Sequence, residues 1–239
     1  MRDRRKVLRY IVADSINLCT GKQYFTMNHL ILLRHGQSQW NLENRFTGWR
    51  DVDLTPQGEA EAVNAGRLIK DIHLDRVYTS TLIRARRTAE LALSEAEAAG
   101  ADVGDVKNGD GWKLIEHDDL RERDYGDLVG LNKAETAEKY GDEQVHLWRR
   151  GYEIRPPGGE SLADVVARVR PYFETEIWPH VVAGENVLVA AHGNSLRAVL
   201  VIIGEYDAED IPNIELPTGK PAVFDIEDGE KKRHYYLED

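Results

Sequence analysis

His29-Leu30-Ile31-Leu32-Leu33 runs straight into Arg34-His35-Gly36, and Asn186-Val187-Leu188-Val189-Ala190-Ala191 runs into His192-Gly193-Asn194. Each is a short unbroken apolar run with a polar end, the pattern of a strand buried on both faces that opens into a loop. Helical signals follow both. Thr55 is a capping residue, Pro56 suits a first helical position, and Ala62, Ala65 and Ile69 follow at helical spacing. Leu196, Val199, Leu200 and Ile203 fall at i, i+3, i+4 and i+7, with Asn194 predicted as N-cap and Gly204 as the stop.

Between these runs, Arg76-Val77-Tyr78 predicts a strand ending at Thr79-Ser80, followed by a helix-prone stretch from Leu82 to Ala92 that carries Arg84. Residues 99–111 are rich in Gly and Asp and predict a surface loop. Leu162, Val165, Val166, Val169 and Phe173 mark one face of a long helix, with Pro171 predicted to kink it. Strands separated by helices imply an α/β fold: a mainly parallel sheet with helices on both faces, three layers in all. Ligands in such folds bind beyond the carboxyl ends of the strands, where both histidines fall.

The 239 residues are 41% hydrophobic and 31% charged, which argues against fibrous, disordered and membrane-spanning chains. A net charge of −11 makes nucleic acid and anionic membrane poor partners, so an anionic ligand must be drawn by a local basic pocket. The single cysteine, Cys19, allows no internal disulfide and no cysteine-based metal site, and cytoplasm is the expected compartment. Residues 1–26 stand apart, with Arg2, Arg4, Arg5, Lys6, Arg9 and Lys22 against Asp3 and Asp14. Arg9, Asp14 and Asn17 break the apolar stretch that a secretory signal needs. The expectation is a weakly structured extension, with residues 27–239 forming a single domain.

A lone histidine after a strand is usually a packing or capping residue. Two of them, one preceded by arginine, shift the balance toward chemistry. Neutral imidazole is a competent nucleophile near pH 7, and a phosphoryl group needs cationic donors around its oxygens. Arg34 and Arg84 are candidates, although Arg84 on its own reads as a solvated helix charge like Arg86 and Arg87. Neither histidine sits in a metal-ligand pattern, so no metal is expected. The absence of a Gly-x-x-x-x-Gly-Lys-Ser/Thr loop and of a Gly-x-Ser-x-Gly elbow leaves ATP use and esterase chemistry unsupported.

Leu33-Arg34-His35-Gly36, Ser38-Gln39-Trp40-Asn41 and Asn44-Arg45-Phe46-Thr47-Gly48-Trp49 together resemble the cofactor-dependent phosphoglycerate mutase family of the histidine phosphatase superfamily. The resemblance extends through Thr79-Ser80-x-Leu82-x-Arg84-Ala85, Glu122-Arg123-Asp124-Tyr125-Gly126, Gly130-Leu131-Asn132-Lys133, Trp148-Arg149-Arg150-Gly151 and Ala190-Ala191-His192-Gly193-Asn194-Ser195-Leu196-Arg197. Pro156-Pro157 passes directly into Gly158-Gly159-Glu160-Ser161, so the chain is similar to the family's short form.

The resemblance implies that His35 carries the phosphoryl group, that Arg34, Arg84 and His192 bind its oxygens, and that Glu122 is the acid/base. It further implies that Asn41, Thr47, Gly48, Tyr125, Lys133, Arg149, Arg150, Gly193 and Asn194 hold the substrate's phosphate and carboxylate, with Arg45 contributing less directly. The implied activity is interconversion of 3-phosphoglycerate and 2-phosphoglycerate in glycolysis and gluconeogenesis, primed by 2,3-bisphosphoglycerate, without metal. A homo-oligomer stays open. So do two alternatives: a phosphomonoesterase passing the group from His35 to water, and a non-catalytic phospholigand-binding module.

Overall fold

A computed structural model describes residues 27–238; the basic extension and Cys19 lie outside the described residues. In chain order the elements are β1 (Asn28–Arg34), α1 (Gln39–Leu42), α2 (Pro56–Ile69), β2 (Arg76–Thr79), α3 (Ile83–Ala98), β3 (Lys107–Asn108), β4 (Gly111–Trp112) and β5 (Leu114–Glu116). They continue with α4 (Lys133–Tyr140), α5 (Asp142–Arg150), α6 (Leu162–Tyr172), α7 (Trp178–Val182), β6 (Val187–Ala191), α8 (Gly193–Ile202), β7 (Pro221–Glu227) and β8 (Glu230–Tyr236).

The main sheet has the order β5-β2-β6-β1-β7-β8. The β5, β2, β6 and β1 strands are mutually parallel, and β7 and β8 add antiparallel on the β1 side. The mainly parallel three-layer architecture expected from the alternating runs is present. The two-residue period of the strands divides their side chains between two cores. Leu30, Leu32, Val187 and Val189 pack on one face with Val165, Val169, Val199 and Leu200 of α6 and α8. Ile31, Leu33, Leu188 and Ala190 pack on the other with Ala65 and Ile69 of α2 and Ala89 and Leu93 of α3. Because both faces are covered, the central strands read as continuous apolar runs.

Several local expectations hold. The Thr55 hydroxyl accepts from Gly58 N at 3.1 Å and Pro56 opens α2, while Gly204, at φ +67, follows α8 and ends it. Three differ. The helix α6 runs through Pro171, and the irregularity is a π-helical turn at Phe173–Ile177, before α7. The proline lies near the C-terminal end of α6, so the strain is absorbed in the next turn. The α8 helix begins at Gly193 with His192 at the N-cap, because Asn194 is engaged elsewhere. Residues 99–111 hold a short 3-10 turn and begin a hairpin formed by β3 and β4.

Gly36 and Gly58 are the points where the β1 exit loop crosses the start of α2. A Cβ on Gly36 would overlap the Gly58 carbonyl and lie 2.9 Å from its Cα, and a Cβ on Gly58 would meet the Gln37 backbone. Gly36→Ala is therefore expected to cost about 3 kcal/mol or more, since backbone must separate from backbone. Thermal or urea denaturation checks this; loss of less than about 1 kcal/mol would mean that the crossing is soft.

Candidate active site

Parallel pairing of β1 with β6 aligns Arg34 with Ala191, so the residues that follow each strand, His35 and His192, emerge side by side. His35 N still donates to Ala191 O at 2.9 Å, and the two ring centroids are 5.0 Å apart. Both imidazoles are buried. His35 Nδ1 lies 2.7 Å from the Gly36 carbonyl, which can only accept. That fixes the proton on Nδ1 and leaves Nε2 with its lone pair. Burial, and then Arg84 and Arg34, push the His35 pKa well below the ordinary imidazole value, so the ring is neutral and nucleophilic at neutral pH.

His192 is arranged through Ser80, at the end of β2. The Ser80 hydroxyl oxygen accepts from Leu82 N at 3.2 Å and lies 2.6 Å from His192 Nε2, which ties the second imidazole to the end of β2. His192 Nδ1 is buried without a partner among the described residues. His192 stands behind His35 and does not line the open cavity.

That cavity, of about 210 Å³, opens at the carboxyl ends of β1 and β6. It gathers Arg34, His35, Asn41, Thr47, Gly48, Arg84, Glu122, Tyr125, Lys133, Arg149, Arg150, Gly193 and Asn194, so every predicted site residue except His192 lines it. Arg45, Arg197 and Glu215 line it too, making seven cationic side chains against two carboxylates. This local excess of positive charge, on a chain of net charge −11, concentrates an anionic ligand at one place.

Arg84 is fully buried, anchored by Nη1 and Nη2 donating to the carbonyls of Arg50 and Gly48 at 3.0 and 2.9 Å. Burial lowers its pKa to about 10, with Glu122 and Asp51 working against the shift, and it stays charged at neutral pH. Arg34 Nη1 donates to the Leu216 carbonyl at 2.7 Å. The Nε of each is buried without a partner. Among the described residues no carboxylate forms an ion pair with Arg34, Arg84, Lys133 or Arg149. Cations buried without counter-ions are costly unless an anion completes them. The neighbouring Arg87 is paired with Asp53 and Glu59 and Arg86 faces Glu116, so those two are structural surface charges.

Glu122 sits in the loop between β5 and α4. Its Oε1 accepts from Arg123 N at 2.8 Å and from Asn194 N and Nδ2 at 3.0 and 2.9 Å. Burial alone would raise its pKa, but these donors, with Arg84 and Arg34, hold it below the ordinary carboxylate value. Among the described residues Oε2 has no hydrogen-bond partner, and it is the oxygen free to take a proton. Trp49 Nε1 and Arg168 Nη2 donate to the Glu122 carbonyl at 2.7 and 3.3 Å, which pins the loop. Asn194 is committed to Glu122, and this explains why α8 is capped by His192. The Oδ1 of Asn41 is held by Ser38 N and Oγ, leaving its Nδ2 for a ligand. Gly48, at φ +53, brings its carbonyl to Arg84.

Sequence reasoning left out Ser80, Arg123, Arg168, Arg197 and Glu215. Buried Arg123 donates to the Tyr125 hydroxyl at 3.0 Å and the Arg149 carbonyl at 2.6 Å, tying two cavity residues together. Arg197 carried a signal, a charge inside the apolar helix α8; Arg168 falls in α6 among its polar positions, and the others lie in segments without periodicity. Arg45 donates to Glu43 and to the Gly130 carbonyl, consistent with a less direct role. A three-ligand group, His73, Asp75 and Asp105, lies near the amino end of β2, away from the cavity.

The chain matches the model of the histidine phosphatase superfamily, branch 1, over residues 30–237. It is 53% identical over 197 residues to a Methylocella silvestris protein named 2,3-bisphosphoglycerate-dependent phosphoglycerate mutase, covering 82% of this chain and 90% of that one. A Gloeobacter violaceus protein named 2,3-bisphosphoglycerate-dependent phosphoglycerate mutase 1 is 47% identical over 219 residues, 84% of this chain and 94% of that one. Among solved structures, a mycobacterial glucosyl-3-phosphoglycerate phosphatase superposes with a TM-score of 0.69 at 24% identity, covering 88% of this chain and 97% of that one. That likeness concerns the fold.

Proposed function

The chain belongs to the histidine phosphatase superfamily and, within it, to the 2,3-bisphosphoglycerate-dependent phosphoglycerate mutases, and from that premise we propose that its cavity interconverts 3-phosphoglycerate and 2-phosphoglycerate through phosphorylated His35. One observation carries the assignment of the site: a neutral, buried imidazole with a free Nε2 lies beside buried Arg84 and half-buried Arg34, neither in an ion pair among the described residues, and a carboxylate held ionised.

The cavity suits 2,3-bisphosphoglycerate, because the partnerless Nε atoms of Arg34 and Arg84 and the unpaired Lys133 and Arg149 offer cations at separate places. Arg34 and Arg84 would hold one phosphoryl end, and Lys133, Arg149 and Arg150 the rest. When bound, this cofactor supplies the phosphoryl group that primes His35.

In turnover, Arg34 and Arg84 stabilise the charge spread over the phosphoryl oxygens, while buried His192 packs against the His35 ring. Glu122 Oε2 takes the proton of the attacking substrate hydroxyl as the oxygen–phosphorus bond forms and the phosphorus–Nε2 bond of His35 breaks. Returning the phosphoryl group from the substrate's other position to His35 uses the same residues, with Glu122 giving its proton to the departing oxygen. The Gly36 carbonyl keeps the ring oriented in both directions. Asn41, Thr47, Gly48, Tyr125, Gly193 and Asn194 complete the walls.

Residues 27–239 are read as one catalytic domain acting on small phosphorylated substrates, in the cytoplasm, with a homo-oligomer compatible with the fold. No helix among the described residues is long and apolar enough to cross a membrane.

Phosphorus NMR of the chain with 3-phosphoglycerate and a trace of 2,3-bisphosphoglycerate tests the reading. Accumulation of 2-phosphoglycerate with little inorganic phosphate is expected; inorganic phosphate as the main product would make the protein a phosphatase. The pH profile gives a second test. Both His35 and Glu122 work deprotonated and both have lowered pKa values, so kcat at saturating substrate should show no fall centred near the free imidazole value of about 6.5. A single-proton acid limb at that value would mean that His35 is not held neutral by its surroundings.

A further inference from the structure

We infer that Glu215 is a built-in anionic occupant of the cavity, which the substrate's own charged group must displace and which thereby sets the affinity and charge selectivity of the site. The inference rests on the mutase reading for the identity of the natural ligand, but the geometry behind it does not.

The segment between α8 and β7 crosses the cavity mouth and offers three consecutive acceptors to its guanidinium groups. The Ile214 carbonyl accepts from Arg197 Nε at 2.8 Å, and the Leu216 carbonyl from Arg34 Nη1 at 2.7 Å. Between them the Glu215 carboxylate pairs with Arg150 and lies 3.8 Å from Arg197 Nη2. Gly219 N, donating to the Arg34 carbonyl at 3.0 Å, fixes the far end of the segment. The backbone on both sides of Glu215 is thus tied to the cavity while its side chain is 66% exposed, against 22% for Arg150 and 7% for Arg197.

An ionised carboxylate only accepts hydrogen bonds. A ligand made mostly of phosphate and carboxylate oxygens therefore gains nothing from Glu215 and is repelled by it. The ligand needs Arg150, which Glu215 occupies, and Glu215 also faces Arg197 in the same cavity. Because the side chain is exposed, rotation into water releases both guanidinium groups without unfastening the segment. Glu215 contacts Arg150 and Arg197 and makes no hydrogen bond to His35 or Glu122 among the described residues, so its effect falls on binding. In the free protein it also gives Arg150 and Arg197 a counter-ion, and more weakly bound anions must compete with it.

Isothermal titration of the wild-type chain and of Glu215→Gln with 2,3-bisphosphoglycerate, and separately with sulfate, at fixed ionic strength tests this. Gln keeps the size and removes the charge. The expected result is a Kd lower by about 2–5-fold for 2,3-bisphosphoglycerate, the range of one exposed ion pair up to its upper end of about 1 kcal/mol. A smaller gain is expected for sulfate, and a lower KM for 3-phosphoglycerate with kcat within about twofold. Glu215→Ala should behave alike, and thermal melting of both variants should match wild type. Unchanged or weaker binding in correctly folded variants would overturn the inference, weaker binding meaning that Glu215 instead holds Arg150 in its working position. Tighter anion binding without any isomerisation of 3-phosphoglycerate by the wild-type chain would leave the occupant in place and remove the mutase reading.

Discussion

Replacing His35 by Ala is expected to lower interconversion of the two phosphoglycerates by about 10⁴-fold or more, leaving no phosphorylated protein after exposure to 2,3-bisphosphoglycerate. The size of the loss follows from the lack of a substitute. His192, 5.0 Å away between ring centroids, has its Nε2 engaged by Ser80 and its Nδ1 buried, and it does not line the cavity. No other histidine lines the cavity. The fold should survive, since His35 lies beyond the end of β1 and not among the side chains of either main core. Initial rates by a coupled assay, with a thermal melt as control, decide the matter; a folded variant retaining more than a hundredth of the activity would move the nucleophile elsewhere.

Glu122→Gln should lower kcat by about 10²–10⁴-fold, the usual worth of a positioned general base, with KM unchanged or lower. Gln retains Oε1 and with it the acceptor for Arg123 N and both donors of Asn194. What it loses is Oε2, replaced by an amide that cannot take a proton. It also removes a negative charge near Arg84 and Arg34, which favours anionic ligands and pulls KM down. Steady-state kinetics separate the two effects. A fall in kcat of less than tenfold would show that Glu122 shapes the loop without moving a proton.

How much of this was legible in the sequence depended on how local the cause was. The β1 and β6 strands were readable because helices cover both faces, so their residues are apolar without interruption. The ends of those strands carry the histidines, and adjacency in the sheet brings them together. By contrast, β8, Glu230-Lys231-Lys232-Arg233-His234-Tyr235-Tyr236, is an edge strand with mostly polar side chains. It is held partly by Arg233 and Tyr235 on the buried Asp225 and by Lys231 on Glu205, pairings that no periodicity announces. Glu122 belongs to a loop whose shape depends on Arg168, Glu160 and Trp49 from distant segments. Its place came from the resemblance, since the residue alone reads as a helix charge. Ser80 and Glu215 act through contacts across 112 and 65 residues of chain. For Pro171 and Asn194 the local rule was sound, but one was absorbed in a π turn and the other was outbid by Glu122.

The relay through His35 is the central claim, and trapping the labelled protein tests it most directly. The chain would be primed with 2,3-bisphosphoglycerate labelled in its phosphoryl groups, separated from free ligand, and chased with unlabelled 3-phosphoglycerate under rapid quench. The account predicts an acid-labile, base-stable label on the peptide containing His35, passing into phosphoglycerates at a rate no slower than kcat. Label on any other peptide, or label that leaves for water before it reaches phosphoglycerate, would contradict it.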